Sequence, residues 1–359
     1  MEFSIDQLVQ NIVAARGSDI HLTVGSLPVF RIKSRLAQQE AFPVLTQAMV
    51  DSALKDLMTP EAIQALYAGK EQDFAHSFNF GEEHYRFRIN AYLAQGLPNL
   101  VMRYLPTDIL GIEKLNLPPV IHQFAQLMRG FVLVTGPTGS GKSTTLAAII
   151  NEINHYREDK IITIEDPVEF IYRPHKCLIS QREIGRDSES FETALTAAFR
   201  EDIDVVLLGE MRDLETVRTA VTAAETGHLV FSTLHTNSAA QSIDRIIDTF
   251  PSHQQPQVRS QLANSLQGII SQRLIPTTDG DLTPAIEILL VNNAVKSLIR
   301  ENRIYQIDTV IETHLKDGMM SMNHSLFELI KRGSVSYETA LLYSPDPITL
   351  RNMLKRAKT

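Results

Sequence analysis

Gly136-Pro-Thr-Gly-Ser-Gly-Lys-Ser143 is the stretch on which the rest of the chain can be hung. It matches G-x-x-x-x-G-K-[ST], in which glycines let backbone N–H groups curl around phosphate oxygens and the following helix adds the partial positive charge of its N-terminus. Both flanks suit that geometry. Residues 131–135 are an apolar run of strand character, and residues 143–153 carry helical spacing. Gly136, Pro137, Thr138, Gly139, Ser140, Gly141, Lys142, Ser143 and Thr144 are therefore the expected nucleotide-binding residues. Lys142 is expected to reach the β- and γ-phosphates of ATP, and the Ser143 hydroxyl to ligate Mg2+. An ordinary Gly-rich turn between strand and helix is the plain alternative, and the Lys-Ser pair with two correct flanks weighs against it.

Downstream, Asp204-Val-Val-Leu-Leu-Gly-Glu210 is an apolar strand ending in a carboxylate. At the C-terminal edge of a parallel sheet such a group faces the same crevice as the phosphate loop. There Glu210 is suited to orient or deprotonate the attacking water, directly or through one hydrogen bond. Many strands end in an acid, so the position after the loop carries the weight. Ile161-Ile-Thr-Ile-Glu-Asp166, closed by Pro167, repeats the arrangement. Glu165 and Asp166 are expected at the same edge, holding a Mg2+-bound water or positioning the nucleophile; a turn or cap carboxylate is the plainer reading. Ser143, Glu165 and Glu210 are thus the expected metal-side oxygens. Gly227-His-Leu-Val-Phe-Ser-Thr-Leu-His235 sets His228 and His235 at opposite ends of an apolar strand. One end belongs at the γ-phosphate edge, which gives His235 a phosphate-sensing reading beside a structural one. Two histidines are too few for a zinc site.

The chain has 359 residues, which suits two or three domains. At 43% hydrophobic and 21% charged residues it is a folded globular chain rather than a disordered one. Lys+Arg 34 against Asp+Glu 42 gives 34 − 42 = −8, an acidic balance that weighs against non-specific nucleic-acid binding, which needs a basic face. The single cysteine, Cys177, excludes an intrachain disulfide or a multi-cysteine zinc site and fits a reducing cytoplasm. Residues 1–6 lack the basic and apolar regions of a signal peptide. No apolar run approaches the roughly 20 residues of a membrane helix. Any membrane role is expected to run through a partner.

Residues 1–105 read as a small α+β unit. Helical spacing runs from Phe3 to Ala15 and again over 47–67. Strand-like runs occupy 19–24, 29–36, 73–80, 85–91 and 100–105, some separated by Gly25 and the Gly81-Glu-Glu turn, which implies a largely antiparallel sheet with helices on it. Residues 106–119, with Pro106, Gly111, Pro118 and Pro119, read as a linker. From 120 to 359 the fold class is α/β. Apolar runs at 131–135, 161–164, 205–208 and 229–234 alternate with helical stretches, implying a mostly parallel sheet with helices on both faces. From about 255 onward the pattern reads as mainly helical, ending in a helix that starts at Asp346-Pro347. Within 85–91, period-two geometry puts Tyr85, Phe87, Ile89 and Ala91 on one face and Arg86, Arg88 and Asn90 on the other. A solvated strand face is one reading. The other is that these arginines, with Arg103, reach a neighbouring subunit's nucleotide, where an arginine supplied in trans is worth about 10³–10⁵ in rate.

As a set, these motifs resemble those of the secretion-superfamily ATPases and, within them, the type IV pilus retraction (PilT-like) branch. The resemblance covers nearly the whole chain. It includes Ser18-Asp-Ile-His-Leu22, the phosphate loop, an Asp box at Ile161-Ile-Thr-Ile-Glu-Asp-Pro-Val-Glu169, an atypical Walker B at Leu207-Leu-Gly-Glu-Met-Arg-Asp213, and a His box at Glu225-Thr-Gly-His-Leu-Val-Phe-Ser-Thr-Leu-His-Thr236. It implies a PAS-like domain over 1–105, a linker over 106–119, and a RecA-like P-loop NTPase domain with C-terminal helices over 120–359. It implies a homohexameric ring with ATP and Mg2+ at the cleft between domains, whose hydrolysis drives pilus retraction and twitching motility. By the matching motifs Glu210 is the catalytic base, Glu165 its acidic neighbour, His228 and His235 the His-box pair, and Arg88 and Arg103 the arginine fingers. The implied partners are an inner-membrane pilus platform protein and a paralogous retraction ATPase, with no direct nucleic-acid contact. The implied location is the cytoplasmic face of the inner membrane.

The lack of an extra N-terminal domain and of a four-cysteine metal site points to the retraction branch rather than the assembly branch. Ala294-Val-Lys-Ser-Leu-Ile-Arg-Glu301 approaches that branch's Ala-Ile-Arg-Asn-Leu-Ile-Arg-Glu motif, departing at Val295, Lys296 and Ser297. Ile203 stands where the family has proline. The competing readings are a short secretion or DNA-uptake ATPase of the same superfamily, a nucleotide-gated scaffold, and a nucleic-acid motor. The intact Lys142, Ser143, Glu165 and Glu210 oppose the scaffold. The acidic balance opposes the nucleic-acid motor.

Overall fold

The computed structural model describes residues 4–32, 35–81, 83–105, 108–211 and 213–357. Phe3, Glu82, Pro106 and Arg212, named above, lie outside the described residues. The chain divides into two units, Met1–Asp108 with Pro167–Ile171, and Ile109–Asp166 with Tyr172–Thr359.

The first unit opens with α1 (Ile5–Ala14), whose buried Ile5, Leu8, Val9 and Ile12 recur at helical spacing. Two further helices follow, α2 (Gln47–Leu57) and α3 (Pro60–Tyr67). The single helix expected over 47–67 is broken because Pro60 has no N–H and disfavours helical backbone at Thr59. Thr59 instead caps the second helix, its hydroxyl accepting from Ala62 N at 3.3 Å, with Pro60 at the first helical position. The sheet is built from β1 (Gly17–Thr23), β2 (Val29–Ile32), β3 (Arg35–Gln38), β4 (Gln72–Phe80), β5 (Glu83–Ala94) and β6 (Leu97–Leu105). Its order is β3-β2-β1-β6-β5-β4, with every neighbouring pair antiparallel. The single strand expected over 29–36 is therefore two, β2 and β3. Phe87, Ile89 and Ala91 of β5 join Ile20, Leu22, Phe30, Leu100 and Met102 in a core shared with the three helices. Arg86, Arg88 and Asn90 alternate with them, as period two requires.

The second unit runs α4 (His122–Ala125), β7 (Gly130–Thr135), α5 (Lys142–Tyr156), β8 (Lys160–Glu165), β9 (Leu178–Glu183), α6 (Phe191–Ala198), β10 (Val205–Glu210), α7 (Leu214–Glu225), β11 (Leu229–Leu234), α8 (Ala239–Asp248) and α9 (Gln255–Ser265). Then come β12 (Leu266–Pro276), β13 (Leu282–Leu290), α10 (Asn293–Arg300), α11 (Ile307–Thr313), α12 (Met322–Lys331), α13 (Tyr337–Tyr343) and α14 (Pro347–Arg356). The strand order is β13-β12-β7-β11-β10-β8-β9. All neighbours are parallel except β12 and β13. Phe131 and Leu133 of β7 share one core with α6 to α11, while Val132 and Val134 are buried on the face where α5 lies. Helices thus cover both faces.

The mainly helical reading beyond residue 255 holds for α9 to α14, but it passed over β12 and β13, two long paired strands. Ile269, Ile270 and Ile275 on one and Ile286, Ile288 and Leu289 on the other are all buried. A strand covered on both faces reads as a continuous apolar run, which periodicity alone does not separate from a buried helix. Strand β9 escaped notice for the opposite reason, since its edge position leaves Ser180, Gln181 and Arg182 only partly buried. Ahead of β7, Ile112 and Leu117 are buried, and the segment bonds internally from Leu115 N to Gly111 O and from Leu117 N to Ile112 O, both 3.2 Å. The last helix begins as expected, with Asp346 Oδ1 accepting from Ile348 N at 3.0 Å and Thr349 N at 3.1 Å. No helix among the described residues is long and apolar enough to cross a membrane.

Candidate active site

The phosphate loop leaves the carboxyl end of β7, the position where open α/β sheets place ligands. Lys142, at the first turn of α5, folds back so that its Nζ donates to Gly136 O at 2.9 Å and Pro137 O at 3.1 Å. The ammonium is buried inside the loop it closes. Gly136 sits at φ +146°, and a Cβ there would meet Gln272 O at 2.2 Å, so only glycine lets the loop pass this close to β12. Gln272 then ties loop to helix, Nε2 donating to Ser140 O at 2.6 Å and Oε1 accepting from Thr145 Oγ1 at 2.7 Å. Ser143 and Thr144 occupy the first turn of α5. Thr144 borders a hollow of about 270 Å³ with Lys114, Leu115, Leu117, Leu274 and Leu282.

Two strands away, β10 ends in Gly209 and Glu210. A register shift between Leu207 and Glu210 sets Glu210 opposite Thr233 of β11. The Gly209 carbonyl accepts from Thr233 Oγ1 at 2.6 Å. His235 lies just beyond β11. Its Nε2 is 3.3 Å from Glu210 Oε1, and its Nδ1 is 3.4 Å from Thr138 Oγ1. One imidazole thus links the tip of the phosphate loop to the carboxylate expected to handle water.

Glu165 ends β8, in register with Glu183 of β9, and both carboxylates are buried at the same sheet edge. No cluster of three or more His, Cys, Asp or Glu suited to a metal occurs among the described residues. Mg2+ does not require one. It keeps several waters and takes one or two carboxylates with substrate phosphates, all oxygen donors. The Ser143 hydroxyl and the Glu165 and Glu210 carboxylates offer that donor chemistry.

The structure does not bring His228 to this edge. It precedes β11, its Nδ1 lying 3.1 Å from Ala223 O and its ring 5.5 Å from that of Phe199. A parallel strand carries the chain from one sheet edge to the other, and the seven steps from His228 to His235, at about 3.3 Å each, separate the two histidines by roughly 23 Å. The two histidines thus stand at opposite ends of β11, where the sequence sets them. The candidate arginines belong to the first unit and differ in their surroundings. Arg86 is buried, donating from Nε to Val168 O and from Nη1 to Ser77 Oγ, both at 3.0 Å. Arg88 is held on two sides by Asp73, Nε to Oδ1 at 3.1 Å and Nη2 to Oδ2 at 2.5 Å. Arg103 donates from Nε to Asp19 Oδ1 at 2.9 Å, yet its side chain is 67% exposed.

Sequence reading missed Gln272, Glu183 and Arg273. Arg273 joins Thr138, Gly139, Asn237 and Tyr343 around a second hollow of about 360 Å³ and donates from Nη1 to Tyr343 O at 2.7 Å. Its strand was not singled out in a stretch read as mainly helical, so no signal pointed to it. A larger cleft, about 980 Å³, lies elsewhere, at the C-terminal end of α5 among His122, Met128, Glu152 and Tyr156. The helix's 15 residues at 1.5 Å each put it about 22 Å from Lys142. It contains none of the phosphate-binding backbone.

Glu287 of β13 is only 7% exposed and accepts from Ala239 N, at the start of α8, at 2.7 Å. Burial pushes its carboxyl up to about 7 from 4.5, against the smaller opposing pull of that N–H. Between those pH values the folded chain holds a proton that the unfolded chain has released. Stability therefore falls as pH rises through this window, by at most about 3 kcal/mol. Glu287→Gln keeps the acceptor and cannot ionise. It is expected to flatten that part of the urea midpoint against pH curve and to stabilise the protein above pH 7. A mutant curve parallel to the parent's across pH 4.5 to 7 refutes this.

Comparison with known proteins gives the family. A profile of the family described as "Type II/IV secretion system protein" matches residues 1–325. The "Type IV pilus retractation ATPase PilT" of Pseudomonas aeruginosa is 42% identical over 323 residues, spanning 90% of this chain and 93% of that one. The "Twitching motility protein" of Neisseria gonorrhoeae is 51% identical over 256 residues, 71% of this chain and 68% of its own. A crystal structure of the pilus retraction motor PilT with bound ADP superposes at a TM-score of 0.91 with 43% identity, covering 98% of this chain and 100% of that one. With the profile and these relatives spanning both units, and the second unit folded as a RecA-like ATPase, the chain belongs to the type II/IV secretion system protein family.

Proposed function

We propose that this chain is the subunit of an ATP-hydrolysing motor that powers type IV pilus retraction and twitching motility. The observation that carries the proposal is the His235 bridge from Thr138 to Glu210. It joins phosphate binding and water handling at one sheet edge, in a chain whose relatives are named for pilus retraction. The backbone N–H groups from Gly139 to Ser143 and the Lys142 ammonium bind the phosphates. The hollow beside Thr144, walled by Leu115, Leu117, Leu274 and Leu282, takes the purine. Mg2+, when bound, neutralises phosphate charge, with Ser143, Glu165 and Glu210 oxygens on its side. Glu210 orients the attacking water and accepts its proton, and His235 hydrogen-bonds Glu210 and follows the loop tip as the γ-phosphate leaves.

The assembly is a homohexamer of a PAS-like first domain and a RecA-like second domain. In it Arg88 and Arg103 approach a nucleotide held by another subunit. The motor works at the cytoplasmic face of the inner membrane against a pilus platform protein, alongside a paralogous ATPase. Deleting the gene and imaging surface pili tests the direction of work. Excess pili without twitching is expected. Bald cells would mean assembly and overturn the proposal.

A further inference from the structure

Five side chains from five strands line one row across the polar face of the first unit's sheet. Register places Arg31 opposite Asp19, Asp19 opposite Arg103, and Arg103 opposite Arg88, with Asp73 of β4 reaching Arg88. Asp19 is the unusual member. It is 4% exposed, although it stands on the face away from the apolar core. Its two oxygens are divided: Oδ1 accepts from Arg103 Nε at 2.9 Å, while Oδ2 accepts from Ser18 Oγ at 2.7 Å and lies 3.6 Å from Arg31 Nε. Burial pushes the Asp19 carboxyl up, but the Ser18 hydroxyl and the Arg103 guanidinium outweigh it and hold the group below the usual carboxylate range. A charge this buried is kept only where partners compensate it, and here one of those partners reaches into solvent.

The mode of attachment separates the three arginines. A guanidinium is planar, so a bond at Nε fixes its plane and leaves the two Nη nitrogens as a fork on the far side. Arg88 already engages Nη2 with Asp73, and Arg86 is buried with Nη1 on Ser77. Arg103 is attached to Asp19 through Nε alone among the described residues, and its fork stays exposed. We infer that Asp19 is a positioning residue, whose buried carboxylate pins Arg103 so that its fork is pre-set for the phosphate oxygens of a nucleoside triphosphate. This rests on the reading that a first-unit arginine serves another subunit's nucleotide. Orientation carries the benefit. An unpinned Arg103 side chain would have to give up rotamer freedom in each catalytic cycle, and loss of alignment of about 1 Å costs on the order of a hundredfold in rate.

The test is steady-state ATPase kinetics of the full chain carrying Asp19→Asn, Asp19→Ala, Arg103→Ala or the Asp19→Ala/Arg103→Ala pair. Asp19→Asn is expected to lower kcat about 10- to 100-fold with KM changed less than about threefold. The double variant is expected to be no slower than Arg103→Ala alone, a non-additivity that a merely structural role would not produce. Should Asp19→Ala fail to fold, Asp19→Asn keeps the side-chain volume and Asp19→Glu restores the charge, with partial rescue expected. Parental kcat in Asp19→Asn beside a slow Arg103→Ala overturns the inference and leaves the trans arginine standing. Parental kcat in Arg103→Ala removes the trans arginine itself. A further loss from Asp19→Ala in the Arg103→Ala background overturns the inference, since the carboxylate would then act through another group.

Discussion

Lys142→Ala is expected to weaken ATP binding by a hundredfold or more, on the order of 3 kcal/mol, the size of a lost charge-assisted hydrogen-bond set in a water-poor site. Two features of the structure make the loss large. The ammonium is already buried, so much of its desolvation has been met on folding rather than on binding. It also holds the loop's shape through Gly136 O and Pro137 O. Removing it takes away the only cation the loop itself supplies and frees two carbonyls that would point at phosphate. Titration with a fluorescent ATP analogue checks this. An affinity within about threefold of the parent's would take Lys142 out of the site and the phosphate-loop assignment with it. A melting scan without nucleotide separates this effect from general destabilisation. Lys142→Arg is a useful companion, because it keeps the charge but enlarges a head group that the closed loop was built around.

Glu210→Gln is expected to leave nucleotide affinity within a few-fold and to lower the hydrolysis rate by about 10²–10⁴, the usual contribution of a positioned general base. Glutamine keeps the shape and an oxygen toward His235, now 3.3 Å from the carboxylate, but cannot take a proton from water. The substitution therefore touches the reacting water more than the bound phosphates. Single-turnover hydrolysis measured beside equilibrium binding distinguishes the two. Near-normal turnover would move the base to Glu165, buried at the end of the neighbouring β8. Running Glu165→Gln in parallel makes that outcome readable.

The phosphate loop, the two strands that end in Glu165 and Glu210, and the helix cap at Asp346 were legible because each is local. A tight turn needs glycine at specific positions, a strand at a sheet's carboxyl edge ends where its apolar run ends, and a cap needs a side-chain oxygen one turn from free N–H groups. The antiparallel character of the first sheet was legible for the same reason, from strand runs joined by turns. Misreadings arose where the deciding partner is remote. Pro60 announced a helix break that the apolar spacing over 47–67 concealed. Strands β12 and β13 lost their alternation because both faces are covered, and with them went Gln272, which meets Ser140 and Thr145 from more than a hundred residues away.

The sequence by itself determined the phosphate loop and the strands that end in Glu165 and Glu210, since backbone curvature, charge and strand termination are encoded within a few residues of each motif. Only the tertiary structure decided which groups work together. It placed His235 between Thr138 and Glu210 and sent His228 to the far edge, because strand direction sets which end of an apolar run meets the loop. It gave three similar arginines three different environments, because cross-strand register, not residue type, chooses the carboxylate or carbonyl that each one meets. Those partners are far apart in sequence and adjacent only once the sheets have formed.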